Sequence, residues 1–388
     1  MIFFFPNEVV AQILRNLPPN SILQLKLVCK QWKLLIESRY FVEYYHKHPE
    51  DEETTNNNRL FCLTKSNDIY EIDLEKLDFG SFDGMRFPET AMHKCLSPKH
   101  MFGSTSRNFD IIGSCNGVHC IKDKQGNVYL YNPSTEAHQR IPNPPFYTQC
   151  VKNPWKRSPC RVYGFGYDYR TYDYKLVWIT WFYPTQVEVY SFKTNSWKTL
   201  GFCPYNKRSL SVINPPWLGG NHGVYVSNSL HWLGEEGRIV CFDLFSEKFT
   251  MFPYFDKLEM TFAFLDVLNG CLSACCTNGG STNIDIWVME KYGLHGSWTK
   301  LLTVDAVDAS ALDIKLITLS KDGCALLLAK LNRWSFNQCT SICWYDIHTS
   351  KMMCEVKMEI RTEVNRLATS SQNKLTLTLQ KLNKEKKT

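Results

Sequence analysis

Side chains able to do covalent or metal chemistry are plentiful, but they are not spaced as a reaction centre. The 388 residues include 16 cysteines and 10 histidines. No two cysteines have the Cys-x-x-Cys spacing of a zinc site. Cys275-Cys276 has no activating base nearby in the sequence and reads as core, not as a nucleophile. His46 and His48, two apart at the edge of a segment, read as surface residues and not as metal ligands. Gly164-Phe165-Gly166 lacks the third glycine of a dinucleotide loop and runs into Tyr167-Asp168, a turn. No Gly-x-Ser-x-Gly elbow, phosphate-binding Gly-x-x-x-x-Gly-Lys run or His-Glu-x-x-His pair occurs. No cofactor or metal is expected, and the chain reads as non-catalytic. Aromatic side chains beside Arg and Lys suit noncovalent recognition of protein instead. Two stretches carry them: Pro142 to Ser158, with Phe146, Trp155 and Arg157, and Tyr205 to Gly220, with Trp217.

Two kinds of element must position such side chains. The first 46 residues have helical spacing. Pro6 fixes φ, and Asn7 can cap a helix beginning at Glu8. Val9, Val10, Ile13, Leu14 and Leu17 follow the i, i+3, i+4, i+7 pattern, and Pro18-Pro19 ends it. Ser21 with Gln24 matches a capping box before a second apolar face of Ile22, Leu23, Leu25 and Val28. A third helix carries Trp32, Leu35 and Ile36, and a fourth carries Phe41, Tyr44 and Tyr45. Helices this short cannot bury so many large apolar groups among themselves. The remaining strip either docks a partner in the helix-in-groove manner or packs on the rest of the chain.

Residues 49–58 are polar and aperiodic, a linker. Beyond Arg59 the spacing is that of strands. One unit recurs: Ile69-Tyr70-Glu71-Ile72-Asp73, Val128-Tyr129-Leu130-Tyr131, Val187-Glu188-Val189-Tyr190, Ile239-Val240-Cys241-Phe242-Asp243, Ile284-Asp285-Ile286-Trp287-Val288 and Ile342-Cys343-Trp344-Tyr345-Asp346. Copies stand roughly 45 to 60 residues apart, the range of a four-stranded propeller blade. Six copies predict a β-propeller over residues 59–360, with a sandwich or split barrel as the alternative. Asn116-Gly117 and Asn269-Gly270 are hairpin signals. Trp178, Trp181, Trp197, Trp232 and Trp287 are expected in blade cores. Residues 361–388 read as a basic polar tail, with Lys381, Lys384, Lys386 and Lys387 among the last eight. The fold class is therefore α+β multidomain, a small helical module followed by an all-β domain.

The net charge of +6, from 44 basic and 38 acidic residues, is mild for this length and does not suggest nucleic acid. No membrane span or signal peptide is visible. Cysteines scattered singly through apolar runs, as at Cys241 and Cys324, point to buried free thiols in a reducing compartment, cytoplasm or nucleus.

Residues Phe5 to His46 resemble an F-box. The resemblance rests on Phe5-Pro6, Ile13-Leu14, Leu17-Pro18, Val28-Cys29-Lys30-Gln31-Trp32, Leu35-Ile36, Ser38 and Phe41, with Phe5 standing where the family usually has Leu. The remainder is similar to the F-box-associated, kelch-like domain of plant F-box proteins. Its matching segments include Gly113-Ser114-Cys115-Asn116-Gly117, Tyr131-Asn132-Pro133-Ser134-Thr135, Gly164-Phe165-Gly166-Tyr167-Asp168, Asp173-Tyr174-Lys175-Leu176-Val177 and Leu230-His231-Trp232-Leu233. The resemblance implies a substrate receptor of a Skp–Cullin–F-box ubiquitin ligase. In it the helices bind a Skp-type adaptor and the β domain holds a protein substrate near the conjugating enzyme. It implies adaptor contacts at Pro6, Ile13, Leu14, Leu17, Pro18, Leu25, Val28, Cys29, Lys30 and Trp32, some of which must instead be internal core, with Leu17 and Trp32 as the expected anchors. A non-ligase scaffold and a propeller enzyme with a helical appendage are the alternatives.

Overall fold

The computed structural model describes residues 6–15, 17, 22, 24–38, 40, 41, 59–63, 69–74, 92–94, 109–123, 125–133, 137–151, 160–181, 186–202, 222–233, 239–252, 260–278, 283–304, 312–320, 323–332, 338–357 and 363–366. Two helices frame the N-terminal module, α1 at Asn7–Arg15 and α2 at Lys30–Glu37. Helix α1 starts one residue before the expected Glu8, because the Pro6 carbonyl accepts from the N–H groups of both Val9 and Val10. Cys29 caps α2: its backbone is extended and its Sγ accepts from the Trp32 N–H at 3.4 Å. Ser38 closes α2 by donating to the Leu35 carbonyl at 2.6 Å, and accepts from the Phe41 N–H at 3.1 Å to start the next turn. Val10, Ala11, Leu14, Ile22, Leu35, Ile36 and Phe41 form the core, with half-buried Leu17, Leu25 and Trp32 against it. Tyr44, Tyr45 and the 49–58 linker lie outside the described residues.

The β region is six four-stranded blades. Blade one holds β1 (Arg59–Leu63), β2 (Ile69–Asp73) and β3 (Met92–Lys94); blade two holds β4 (Phe109–Cys115), β5 (Val118–Asp123), β6 (Val128–Asn132) and β7 (Ala137–Ile141). A helix, α3 (Pro145–Val151), precedes blade three, which holds β8 (Cys160–Asp168), β9 (Asp173–Trp181), β10 (Gln186–Ser191) and β11 (Ser196–Phe202). Blade four holds β12 (His222–Val226), β13 (Ser229–Leu233), β14 (Ile239–Asp243) and β15 (Lys248–Phe252). Blade five holds β16 (Met260–Leu268), β17 (Cys271–Asn278), β18 (Ile284–Met289) and β19 (Trp298–Val304); blade six holds β20 (Leu312–Leu319), β21 (Ala325–Asn332), β22 (Gln338–Asp346) and β23 (Met352–Lys357). The final strand, β24 (Glu363–Arg366), returns to blade one and pairs antiparallel with β1. Strand therefore continues past residue 360, where the sequence ends the β domain. Glu363-Val364-Asn365-Arg366 has no apolar alternation to reveal it. Its pairing covers the edge of β1 that would otherwise be open.

The innermost strands stand side by side around a hub, β4 against β8, β8 against β12, β12 against β16, β16 against β20 and β24 against β4, and β24 also meets β22, the third strand of blade six. Between blades three and four the approach is close enough for β8 and β12 to pair in parallel, His222 opposite Tyr163 and Gly223 opposite Gly164. Those two glycines permit it. A Cβ at Gly164 would stand 2.7 Å from Leu230 and Trp232, and one at Gly223 2.6 Å from the Trp232 ring. The recurring unit of the sequence is the third strand from the hub in every blade: β2, β6, β10, β14, β18 and β22. Neighbouring blades cover both faces of that strand, so β18 is buried at every residue, whereas outer strand β7 is exposed at all but Ile141. Asn116-Gly117 and Asn269-Gly270 turn with positive φ as expected, at 49° and 73° and at 48° and 78°.

Candidate functional site

The helical module places apolar side chains where no core can use them. Its apolar pairs split: Val9 is 39% exposed against 4% for Val10, Ile13 51% against 0% for Leu14, and Leu34 70% against 6% for Leu35. Adjacent positions on a helix point about 100° apart, so the second member fills the core and the first stands outside it. Leu27, Val28 and Tyr40 are exposed as well. Leu34 and Tyr40, with Asn7, Glu8, Gln31, Leu35 and Ser38, line an open groove of about 600 Å³. Gln31 donates to Asn7 there at 3.3 Å, tying the start of α2 to that of α1.

This geometry divides the residues that sequence offers as adaptor contacts. Pro6, Ile13, Val28, Cys29 and Lys30 are exposed. Leu17, Leu25 and Trp32 are half-buried against the core, each with surface left over. Leu14 is fully enclosed, so its role is to hold the module together, a correction to its place among the contacts. Pro18 lies outside the described residues. Val9, Leu27, Leu34 and Tyr40 were missed as surface residues. At Val9, Leu34 and Tyr40 the available signal is an apolar neighbour that fills the core instead, Val10, Leu35 and Phe41, whereas Val28 beside Leu27 is exposed too.

On the propeller, the stretch from Pro142 is not a free loop. Residues 145–151 form α3, whose Tyr147 is buried 5.4 Å from the Trp178 ring. Glu188, buried on β10, accepts from the Phe146 N–H at 3.0 Å and so caps this helix, leaving the Phe146 ring half-buried. Burial raises the Glu188 carboxyl, and the N–H groups of Phe146 and Tyr147 oppose that rise. Trp155, Arg157 and Trp217 lie outside the described residues, in connections that lead into β8 and β12. Trp178, Trp232 and Trp287 are core; Trp197 is half-buried and donates to the Pro142 carbonyl at 2.8 Å.

One constellation has the composition of a nucleophile and base. The Tyr292 hydroxyl lies 2.8 Å from His231 Nε2 and 3.9 Å from Cys241 Sγ. His231 Nδ1 faces the Val224 carbonyl at 3.1 Å, so Nδ1 carries the proton and Nε2 accepts from Tyr292. Burial lowers the imidazole to about 4 and raises the thiol, the opposite of an activated pair. The trio is a neutral lock between blades four and five. Burial likewise raises Cys275, and pushes Cys276 up to about 12. No group of three or more His, Cys, Asp or Glu able to hold a metal occurs among the described residues. Among them, too, no helix is long and apolar enough to cross a membrane.

Comparison with known families decides what this pairing of modules is. Residues 59–326 match the F-box associated beta propeller domain, and residues 2–44 match the F-box domain. The chain belongs to the F-box proteins with an F-box-associated β-propeller. It is similar to F-box protein CPR1 of Arabidopsis thaliana, with 26% identity covering 89% of this chain and 83% of that protein. It also resembles F-box protein At3g07870 of the same plant, at 28% identity over 76% and 71% of the two chains. F-box/kelch-repeat protein At3g23880, likewise from Arabidopsis thaliana, is 26% identical over 77% and 79%. The exposed apolar strip is thus the surface of an F-box, and the six blades are its associated domain.

Proposed function

We propose that this F-box protein is the substrate-recognition subunit of a Skp–Cullin–F-box ubiquitin ligase. The F-box docks on a Skp-type adaptor, and the propeller holds a protein substrate. The chain makes no covalent bond itself; it raises the concentration of substrate beside the conjugating enzyme. The observation that carries this reading is the exposure of Val9, Ile13, Leu27, Val28, Leu34 and Tyr40 outside a module already supplied with a core. Solvent exposure of so many large apolar groups on one small helical module suits an obligate partner. Among the described residues seven buried free cysteines, Cys115, Cys120, Cys241, Cys271, Cys275, Cys276 and Cys343, support residence in a reducing compartment, cytoplasm or nucleus.

Co-expression with a plant Skp-type adaptor and then with a Cullin tests the reading. The expected result is a stoichiometric complex with the adaptor that takes up the Cullin. A folded chain that leaves the adaptor unbound overturns the reading. Adaptor binding without Cullin uptake replaces the ligase with a scaffold.

A further inference from the structure

Within each blade successive strands run antiparallel, so the turns from first to second strand and from third to fourth open on one face of the propeller. The blade-to-blade connections, including the one that carries Phe146, open on the other. Tyr169, Phe245, Tyr292 and Leu294, all exposed, stand on the first face. Two of them belong to one platform, built from the β8–β9, β12–β13 and β14–β15 turns.

Asn228, in the β12–β13 turn with a φ of 63°, ties the three turns together. Its Oδ1 accepts from the Tyr169 N–H at 2.9 Å, and its carbonyl accepts from the Leu244 N–H at 3.1 Å. Beneath them Lys175 joins Asp168 to Glu247. On this base the Tyr169 ring stands edge-on to buried Tyr167, their centres 5.1 Å apart, and Arg170 lies 4.7 Å over the Phe245 ring. Tyr169 is 44% exposed and Phe245 46%. Tyrosine and arginine held in place before binding have the composition and the preorganisation of an interface hot spot.

The carboxylates of these turns are committed within the chain. Asp168 is enclosed and held by Lys175, the Thr171 hydroxyl and the Arg170 N–H. Asp173 is buried and accepts from the Ser191 hydroxyl and the Lys193 N–H. Glu247 holds Lys175 and Lys198, and Asp243 accepts from the Ser246 N–H at 2.6 Å. Two exposed cations are not committed in this way. Lys193 Nζ reaches the Thr171 carbonyl at 2.8 Å, beside Arg170, and neither side chain meets a carboxylate among the described residues. Stacking on Phe245 uses the flat face of the Arg170 guanidinium and leaves its N–H edge to solvent. A planar carboxylate matches that edge with two parallel hydrogen bonds. A doubly charged phosphate matches it less well, since Asp168 and Asp173 lie under the same turn and repel a second negative charge.

We propose that this platform is where the propeller grips the recruited protein: the Arg170 guanidinium takes an acidic side chain, and the Tyr169 and Phe245 rings take the apolar side chain next to it. This rests on the receptor reading above. The test is fluorescence anisotropy of the full chain, at physiological salt, with labelled, C-terminally amidated Gly/Ser dodecapeptides centred on Glu-Leu, Gln-Leu, Glu-Ser or phosphoserine-Leu. The Glu-Leu peptide is expected to bind saturably. Its affinity should fall about tenfold or more when either central residue is replaced by Gln or Ser, and likewise in Arg170→Gln and in Phe245→Ala. Arg170→Glu should instead prefer a Lys-Leu peptide, a gain that misfolding cannot produce. No binding of the Glu-Leu peptide, equal binding of the Gln-Leu peptide, or wild-type affinity in Arg170→Gln or Phe245→Ala would overturn the proposal. Tighter binding of the phosphoserine-Leu peptide would overturn the carboxylate assignment. Adaptor co-purification, run on the same variants, should be unchanged, so a failed platform is distinguishable from a failed receptor reading.

Discussion

In the F-box, large apolar side chains stand in solvent beside a core of seven buried residues, whereas the propeller encloses even its charges. Lys175 is 6% exposed and is held by the Leu244 carbonyl at 2.6 Å, by Asp168 at 3.3 Å and by Glu247 at 3.1 Å, tying blade three to blade four. Lys330 on blade six is treated the same way, paired with Glu355 at 3.3 Å. The contrast follows from size and closure. A ring of six blades has enough neighbours to pair buried ions such as Lys175 and Lys330. Two short helices do not have enough to cover their apolar groups. The propeller therefore covers its ions within the chain, and on the proposed reading the F-box is completed by a partner.

Deleting the largest core side chain is the most severe way to break this contrast. Trp178→Ala removes the ring that packs on Tyr147, Tyr163 and Trp197, and should cost about 3–5 kcal/mol of propeller stability, read by denaturant unfolding. An effect under about 1 kcal/mol would show that this blade core is not close-packed.

Lys175→Met comes next, at about 3 kcal/mol, because it leaves Asp168 and Glu247 without their shared cation. Burial opposes the charge of both carboxylates, yet both are held below their usual values. The Thr171 hydroxyl, the Arg170 N–H and Lys175 do this for Asp168, and Lys198 and Lys175 for Glu247. Depressed groups of this kind contribute stability that is complete above their unfolded values of 3.8 and 4.5, and that is lost as pH falls through the folded ones. Acid unfolding should therefore be less steep in Lys175→Met than in the wild type. Parallel curves would remove Lys175 as the cause.

Leu34→Asp sharpens the other side of the contrast. It should weaken adaptor binding by about 2 kcal/mol. Its effect on the melting temperature should be small, since the side chain is 70% exposed. The smallest effect is expected at Cys29, where Ala removes the cap of α2 and should destabilise the module by about 0.5–1 kcal/mol, with Ser restoring most of it. Calorimetric melting of the two variants checks the difference.

Much of this was legible in the sequence because it was local. Third strands alternate or run apolar over five residues, Asn-Gly pairs announce hairpins, and the residues of α2 keep their helical period. What the sequence hid is non-local. Strand β24 is polar and becomes a strand only because β1 offers an edge 300 residues earlier. Asp266 of blade five accepts from the Leu316 N–H of blade six, 50 residues on, and no spacing relates the two. Helix α3 is fixed by Glu188, 42 residues on. Sequence likewise cannot say which member of Ile13-Leu14 faces in, since both suit either place.

The central claim is that the exposed apolar side chains of the F-box, and not its core, carry adaptor binding. The most direct test is calorimetric titration of a plant Skp-type adaptor into the full chain and into Ile13→Asp/Val28→Asp, with melting curves for both. The account predicts tight one-to-one binding by the wild type and its loss in a variant that melts at an unchanged temperature. Undiminished binding by that folded variant would contradict it.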